Sequence, residues 1–225
     1  MSALVQLQRL LAYDFIDPKY LQLALTHRSH SSENYERLEF LGDAVLGLVI
    51  GAALYTRFPK ADEGQLSRLR ASLVRKETLA ELGHELHMGS YLQLGLGEMR
   101  SGGQQRGSIL ADVVESILGA IYLDGGFKSA SEFVHRLYRS RLQNLGADAL
   151  QKDPKTRLQE YLQSHNQALP QYAIDQVDGK QHKQSFNVVC RLEKPEMQAS
   201  GKGSSRRKAE QASAAAILSQ LHVDA

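Results

Sequence analysis

Apolar residues recur at helical spacing through the first two thirds of the chain. Asp17 and Pro18 predict an N-cap and first-turn pair that opens a helix through Leu25, since proline lacks only an amide proton that a first turn leaves unpaired. Further helical patterns run from about Glu36 to Tyr55, stopping before Pro59, from about Glu63 to Leu82, from Ser108 to Tyr122 and from Ser129 to Leu142. The pattern loosens in a polar stretch around Gly146, and Asp153 with Pro154 starts a new helix to about His165. From there the period changes. Tyr172, Ile174 and Val177 predict a strand, Asp178 and Gly179 a turn, Ser185 to Leu192 a second strand and Met197 to Ser200 a third, before an alanine-rich helix from about Ser205 to Gln220. The expected architecture is multidomain: an all-α domain over residues 1–145, a linker over 146–152, and a small α-β-β-β-α (α+β) domain over 153–222.

Composition narrows the class. With 42% hydrophobic residues, 23% charged and 5 Pro in 225 residues, the chain can build substantial cores and is neither disordered nor collagen-like. The net charge of +2 argues against a wholly basic nucleic-acid coat, but it is unevenly spread. Residues 1–150 hold 16 Lys plus Arg against 17 Asp plus Glu, and the remainder holds 11 against 8. A single cysteine, Cys190, excludes an internal disulfide and a multi-cysteine zinc site, and fits a reducing compartment. The N-terminus lacks a signal-peptide pattern, and no apolar stretch is expected to approach the roughly 18 residues of a membrane span. The expectation is a soluble cytoplasmic protein with no membrane partner.

The carboxylates carry the chemistry. On a helix, Glu36, Glu39 and Asp43 fall within an arc of roughly 60°, with Leu38, Leu41, Val45 and Leu48 expected on the opposite, core side. Like charges at such spacing repel by a few tenths of a kcal/mol per pair, so a cation should offset them. Asp112 and Glu115 share a face of the 108–122 helix, where Ala111 and Gly119 would let another helix approach closely. Taken alone, each acidic face reads as a solvated surface. Packed together, the two helices would converge Glu39, Asp43, Asp112 and Glu115, an all-oxygen set that selects Mg²⁺ or Mn²⁺ over zinc. Such an ion can activate water for in-line attack on a phosphodiester. Phe40 projects on the acidic side, which leaves two readings, burial by a partner subunit or cover by a loop of the same chain. Lys202, Arg206, Arg207 and Lys208 gather at the start of the last helix, a run that by itself reads as a solvated face.

Other motifs lead nowhere. Gly95, Gly97, Gly102 and Gly103 lack the spacing of a dinucleotide fingerprint or a phosphate loop and predict a flexible connection. His84 and His87 lack an evident third metal ligand, His27 is read as a structural hydrogen-bonder, and Cys190 as a small buried side chain.

The segment Glu36-Arg-Leu-Glu-Phe-Leu-Gly-Asp43 follows Ala24-Leu-Thr-His-Arg-Ser29. It precedes Asp62-Glu-Gly-Gln-Leu-Ser-Arg-Leu-Arg70 and Ala111-Asp-Val-Val-Glu-Ser-Ile-Leu-Gly-Ala-Ile-Tyr-Leu-Asp124. Together these closely resemble bacterial ribonuclease III. The C-terminal part resembles that family's double-stranded-RNA-binding domain. Its first helix matches around Gln159 and Glu160, its loop at Gly179-Lys-Gln-His182, and its last helix at Gly201-Lys-Gly-Ser-Ser-Arg-Arg-Lys-Ala-Glu210. Small departures are Arg206 and Arg207 where lysine is common and Tyr35 where asparagine is.

The resemblance implies a Mg²⁺-dependent endoribonuclease, with Mn²⁺ as a substitute, that cuts double-stranded RNA. The products would be 5′-phosphate and 3′-hydroxyl ends with two-nucleotide 3′ overhangs, made in ribosomal-RNA processing and messenger-RNA maturation or decay. Glu39, Asp43, Asp112 and Glu115 would bind metal, Asp43 and Glu115 would be the indispensable catalytic acids, and Glu36 and Glu63 supporting acids. Gln159, Glu160, His182, Lys202, Arg206, Arg207 and Lys208 would contact RNA, the helix and loop in successive minor grooves and the basic run on phosphates between them over about 16 bp. The family's homodimer would place Phe40 at the subunit interface. Two rivals stand beside this reading. A non-catalytic RNA-binding relative would be expected to have lost some of the acids, and a metal phosphohydrolase acting on nucleotides has no use for a duplex-sized basic surface.

Overall fold

The computed structural model describes residues 3–146, 150, 152–179 and 184–223. The chain forms two compact units, Met1–Leu150 and Gln151–Ala225. In the first, among the described residues, eight α-helices follow one another: α1 (Ala3–Leu11), α2 (Pro18–Ala24), α3 (Glu36–Arg57), α4 (Glu63–Val74), α5 (Lys76–Glu85), α6 (Leu96–Arg100), α7 (Gly107–Leu137) and α8 (Arg139–Gln143). Local chemistry sets several starts. Asp17 caps α2 through the Lys19 amide ahead of Pro18. Asp62 and Gln65 form a reciprocal capping box at α4, each side chain accepting from the other's backbone amide.

The core centres on α3 packed along α7, with α5 on another side of α7. Gly42 and Gly119 decide how near α3 and α7 come. A Cβ on Gly42 would lie 1.8 Å from the Glu115 carbonyl oxygen, and one on Gly119 2.2 Å from that of Leu38. The predicted close approach therefore occurs, with glycine needed on both helices. Buried Ser116 ties α2 into this core by donating to the Ala24 carbonyl at 2.7 Å.

One predicted helix needs correction. The single helix expected over Glu63 to Leu82 is broken at Arg75, whose backbone is extended (φ −66°, ψ 154°), so α4 and α5 take different courses and pack separately. The two helices expected over Ser108–Tyr122 and Ser129–Leu142 are both present as the two arms of α7, which meet at Gly126, where the backbone is non-helical (φ 74°) in a conformation glycine tolerates; the second arm ends at Leu137 and the chain re-forms as α8 after Tyr138. Asp124 beside the kink accepts from the Tyr13 hydroxyl and the Ile16 and Asp17 amides at 2.7–2.9 Å, anchoring the N-terminal segment. The glycine-rich 95–103 stretch is not an open connection. It contains α6 and a 3₁₀ turn, held by an Arg106–Glu98 ion pair at 2.6 Å and by the Gly95 amide donating to Ser29 Oγ.

The buried arc of α3 is also rotated from expectation. Leu38, Gly42, Val45 and Val49 face the core, whereas Leu48 is 59% exposed beside Phe40 at 80% and Tyr55 at 74%. With apolar residues on two faces, α3 is long and apolar enough to cross a membrane by length and composition, its most apolar 18 residues averaging a hydropathy of 1.7. The expectation that no stretch approaches a span is corrected on that point: periodic core residues and a second apolar face together imitate a continuous apolar run.

In the second unit, α9 (Pro154–Ser164) and α10 (Arg206–Gln220) pack on an antiparallel sheet of order β1–β2–β3, formed by Gln171–Asp178, Ser185–Leu192 and Met197–Gly203. The third strand runs past the expected Ser200 to Gly203. Its core gathers Leu158, Leu162, Cys190, Leu192, Ala214, Ile217 and Leu218. Asp153 caps α9 and Ser205 caps α10. A Cβ at Gly201 or Gly203 would meet the α10 backbone at 2.2 or 2.5 Å, so these glycines let β3 run directly beneath the basic start of α10.

Candidate active site and basic surface

The α3–α7 crossing brings the acids together. Carboxylate oxygens of Glu39, Asp112 and Glu115 lie within 4.8 Å of one another. Asp43, one turn beyond Glu39, is exposed, yet its charge is the strongest single-charge influence on Glu115. Glu36 sits on the rim, ion-paired to Arg28 at 3.4 Å. Glu63 starts α4 and accepts from the Ser67 hydroxyl at 2.7 Å, outside the three-carboxylate group.

Glu115 is the unusual member. It is 8% exposed, and burial, followed by the charges of Asp43, Glu39 and Asp112, raises its pKa to about 8. Burial and Asp112 raise that of Glu39 as well. A buried carboxyl crowded by others holds its proton until a cation is supplied. An all-oxygen donor set demanding positive charge fits a hard divalent ion. A groove that includes Glu39 and Asp112 is also lined by His27, Ser29 and Ser108 and by the ion pairs Arg28–Glu36 and Arg106–Glu98. The His27 ring contacts the Ser29 hydroxyl at 2.7 Å, consistent with a hydrogen-bonding role that ties this wall together.

Lys76 was not singled out from sequence. Its Nζ lies 3.4 Å from Asp112 Oδ1. The cation expected to offset the acids thus comes from a third helix, and the only available signal was the basic pair Arg75-Lys76 inside an apparently continuous helical pattern.

In the second unit, Gln159 and Glu160 are exposed on α9, and Glu160 is ion-paired with Lys152. His182 lies outside the described residues. Lys202 on β3 and Arg206, Arg207 and Lys208 on α10 are exposed together. Nearly buried Glu210 accepts from Arg206 Nε at 2.8 Å and from Lys155 Nζ at 2.6 Å, linking the starts of both helices into one basic surface. Lys155 is a further basic group on this surface, placed there by its contact with Glu210.

Residues 17–142 match the Ribonuclease-III-like family model and residues 154–221 the double-stranded RNA binding motif. The chain is 51% identical to Ribonuclease 3 of Aliivibrio fischeri over 224 residues, covering 98% of this chain and 99% of the relative. Against Ribonuclease 3 of Vibrio cholerae it is 53% identical over 211 residues and 94% of each chain. The solved nuclease domain of ribonuclease III from Campylobacter jejuni superposes with a TM-score of 0.62 at 41% identity, covering 65% of this chain and all of that one. A second structure of that domain, described as flexible in the region involved in dimer formation, gives 0.59 at 44% identity over 60% of this chain and 95% of that one. Full-length similarity, both domain matches and the convergent carboxylates lead to one conclusion: the chain belongs to the ribonuclease III family of double-stranded-RNA-specific endoribonucleases.

Proposed function

We propose that Glu39, Asp43, Asp112 and Glu115 hold Mg²⁺, with Mn²⁺ as a substitute, and that Asp43 and Glu115 are the indispensable catalytic acids. The observation that carries this reading is the group of three carboxylates around a nearly buried Glu115. A bound divalent ion would supply Lewis acidity to the phosphodiester and lower the pKa of a water, so that it loses a proton and can attack in line. Glu115 would give up its proton when such an ion binds, with Glu39 from α3 and Asp112 from α7 beside it and exposed Asp43 one turn beyond Glu39. Glu36 keeps Arg28 at the rim, and Glu63 supports from α4.

RNA is held by Gln159, Glu160 and His182 in minor grooves, with Lys202, Arg206, Arg207 and Lys208 on the phosphates between them. In domain terms, residues 1–145 carry catalysis and dimerisation, 146–152 link, and 153–222 grip the duplex. Cleavage leaves 5′-phosphate and 3′-hydroxyl ends with two-nucleotide 3′ overhangs. The cellular work is cytoplasmic maturation of ribosomal-RNA precursors and processing or decay of messenger and small RNAs, as in the family. A labelled RNA duplex should be cut with Mg²⁺ and spared without it, while single-stranded RNA and duplex DNA are spared in both. Equal cleavage of all three would reject the substrate assignment.

The active unit is a homodimer. Phe40, Leu48 and Tyr55 form an exposed apolar stripe on α3, and an open groove lined by Tyr20, Leu23, Leu41 and Leu123 lies beside Phe40. A two-fold axis would seat each Phe40 in the other subunit's groove. Phe40→Ser should sediment as a monomer at concentrations where the parent is dimeric. A dimer of unchanged affinity would refute the interface.

A further inference from the structure

Lys76 owes its position to the break at Arg75, where the chain turns extended before α5 begins. Because α5 packs on α7, the first side chain of α5 reaches the acidic group carried by α7. Its ammonium lies 3.4 Å from Asp112 Oδ1 and accounts for the cationic offset that the crowded acids require. The contact is lopsided. The Asp112 side chain is 20% exposed and fixed in the group, whereas that of Lys76 is 70% exposed on a long flexible stem.

We infer that Lys76 is a built-in counter-ion that occupies Asp112 in the metal-free protein and competes with the divalent cation for it. The inference rests on the reading that these carboxylates hold metal. A monovalent ammonium at a divalent site is both a stand-in and an opponent. It screens the acids while the ion is absent, and it repels the incoming ion until the side chain swings into water. Exposure makes that movement easy, so the lysine sets the cation concentration at which the site fills without blocking it. Its role is positioning and charge balance.

The test is calorimetric titration of the full-length, chelator-stripped protein with Mn²⁺, comparing the parent with Lys76→Met, Lys76→Arg and Glu115→Gln. Lys76→Met should bind Mn²⁺ about threefold to tenfold tighter, the modest size reflecting solvent screening of an exposed charge. Lys76→Arg, which keeps the charge, should stay within about twofold of the parent. Glu115→Gln should lose the site. Unchanged or weaker binding by Lys76→Met, with Glu115→Gln still abolishing binding, overturns the competition while leaving the metal site standing. Binding that is absent from the parent, or indifferent to Glu115→Gln, overturns the metal site and the competition with it. Circular dichroism of each variant checks its fold, and Lys76→Arg separates loss of charge from loss of side-chain packing.

Discussion

Glu115→Gln is expected to reduce cleavage of duplex RNA by more than about a thousandfold while leaving duplex binding intact, because it removes the charge at the centre of the carboxylate group without changing its shape. A gel-based cleavage assay beside a filter-binding isotherm separates the two effects, and residual cleavage near the parent's rate would sink the assignment. The same variant carries a pH signature. In the metal-free parent, burial and the neighbouring acids raise the Glu115 pKa from 4.5 to about 8. The folded chain therefore binds a proton that the unfolded chain has released, and stability falls as pH rises from about 4.5 toward about 8. Glutamine stays neutral throughout, so Glu115→Gln should lose this part of the decline. Chemical denaturation in chelator across that range measures it, and parallel curves would show that Glu115 titrates normally.

Gly42→Ala should be the most damaging change in the nuclease unit made without touching an acid. Its Cβ would fall 1.8 Å from the Glu115 carbonyl oxygen and 2.6 Å from the carbonyl carbon, both backbone atoms of the partner helix. No rotamer relieves that clash, so α3 and α7 must separate. The expected cost is roughly 3 kcal/mol or more, at the upper end of overpacking penalties. Activity should fall further than stability, by about a hundredfold or more in protein that remains folded, since a shift of about 1 Å at a reacting constellation can cost that much. Gly97→Ala is the control, because a Cβ there meets nothing within 4 Å. Equal melting temperatures for the two variants would show that the helices accommodate the methyl group and that the glycine contact does not set the site.

These two residues mark how far the sequence could be read. The acidic arcs on α3 and α7 were legible because helical periodicity fixes which side chains share a face, and Gly119 with Ala111 signalled a close approach. Gly42 lay inside the acidic motif, where nothing local distinguishes a packing glycine from a filler. Leu48 was assigned to the core because hydrophobicity does not say which neighbour a residue faces; in the fold it joins Phe40 and Tyr55 on the exposed stripe. Lys76 was missed for a related reason. The break at Arg75 has no proline or glycine to announce it, and the lysine acquires meaning only once α5 is laid against α7.

The sequence by itself determined the two-part organisation, the helix starts near Asp17, Glu63, Asp153 and Ser205, the order of elements in the second unit and the set of carboxylates, all of which follow from local propensity and periodicity. Tertiary structure alone decided which carboxylates meet, how deeply Glu115 is buried and which cation answers them. Those properties depend on the separation of two helix backbones at Gly42 and Gly119, and that distance is set by packing between residues far apart in the chain.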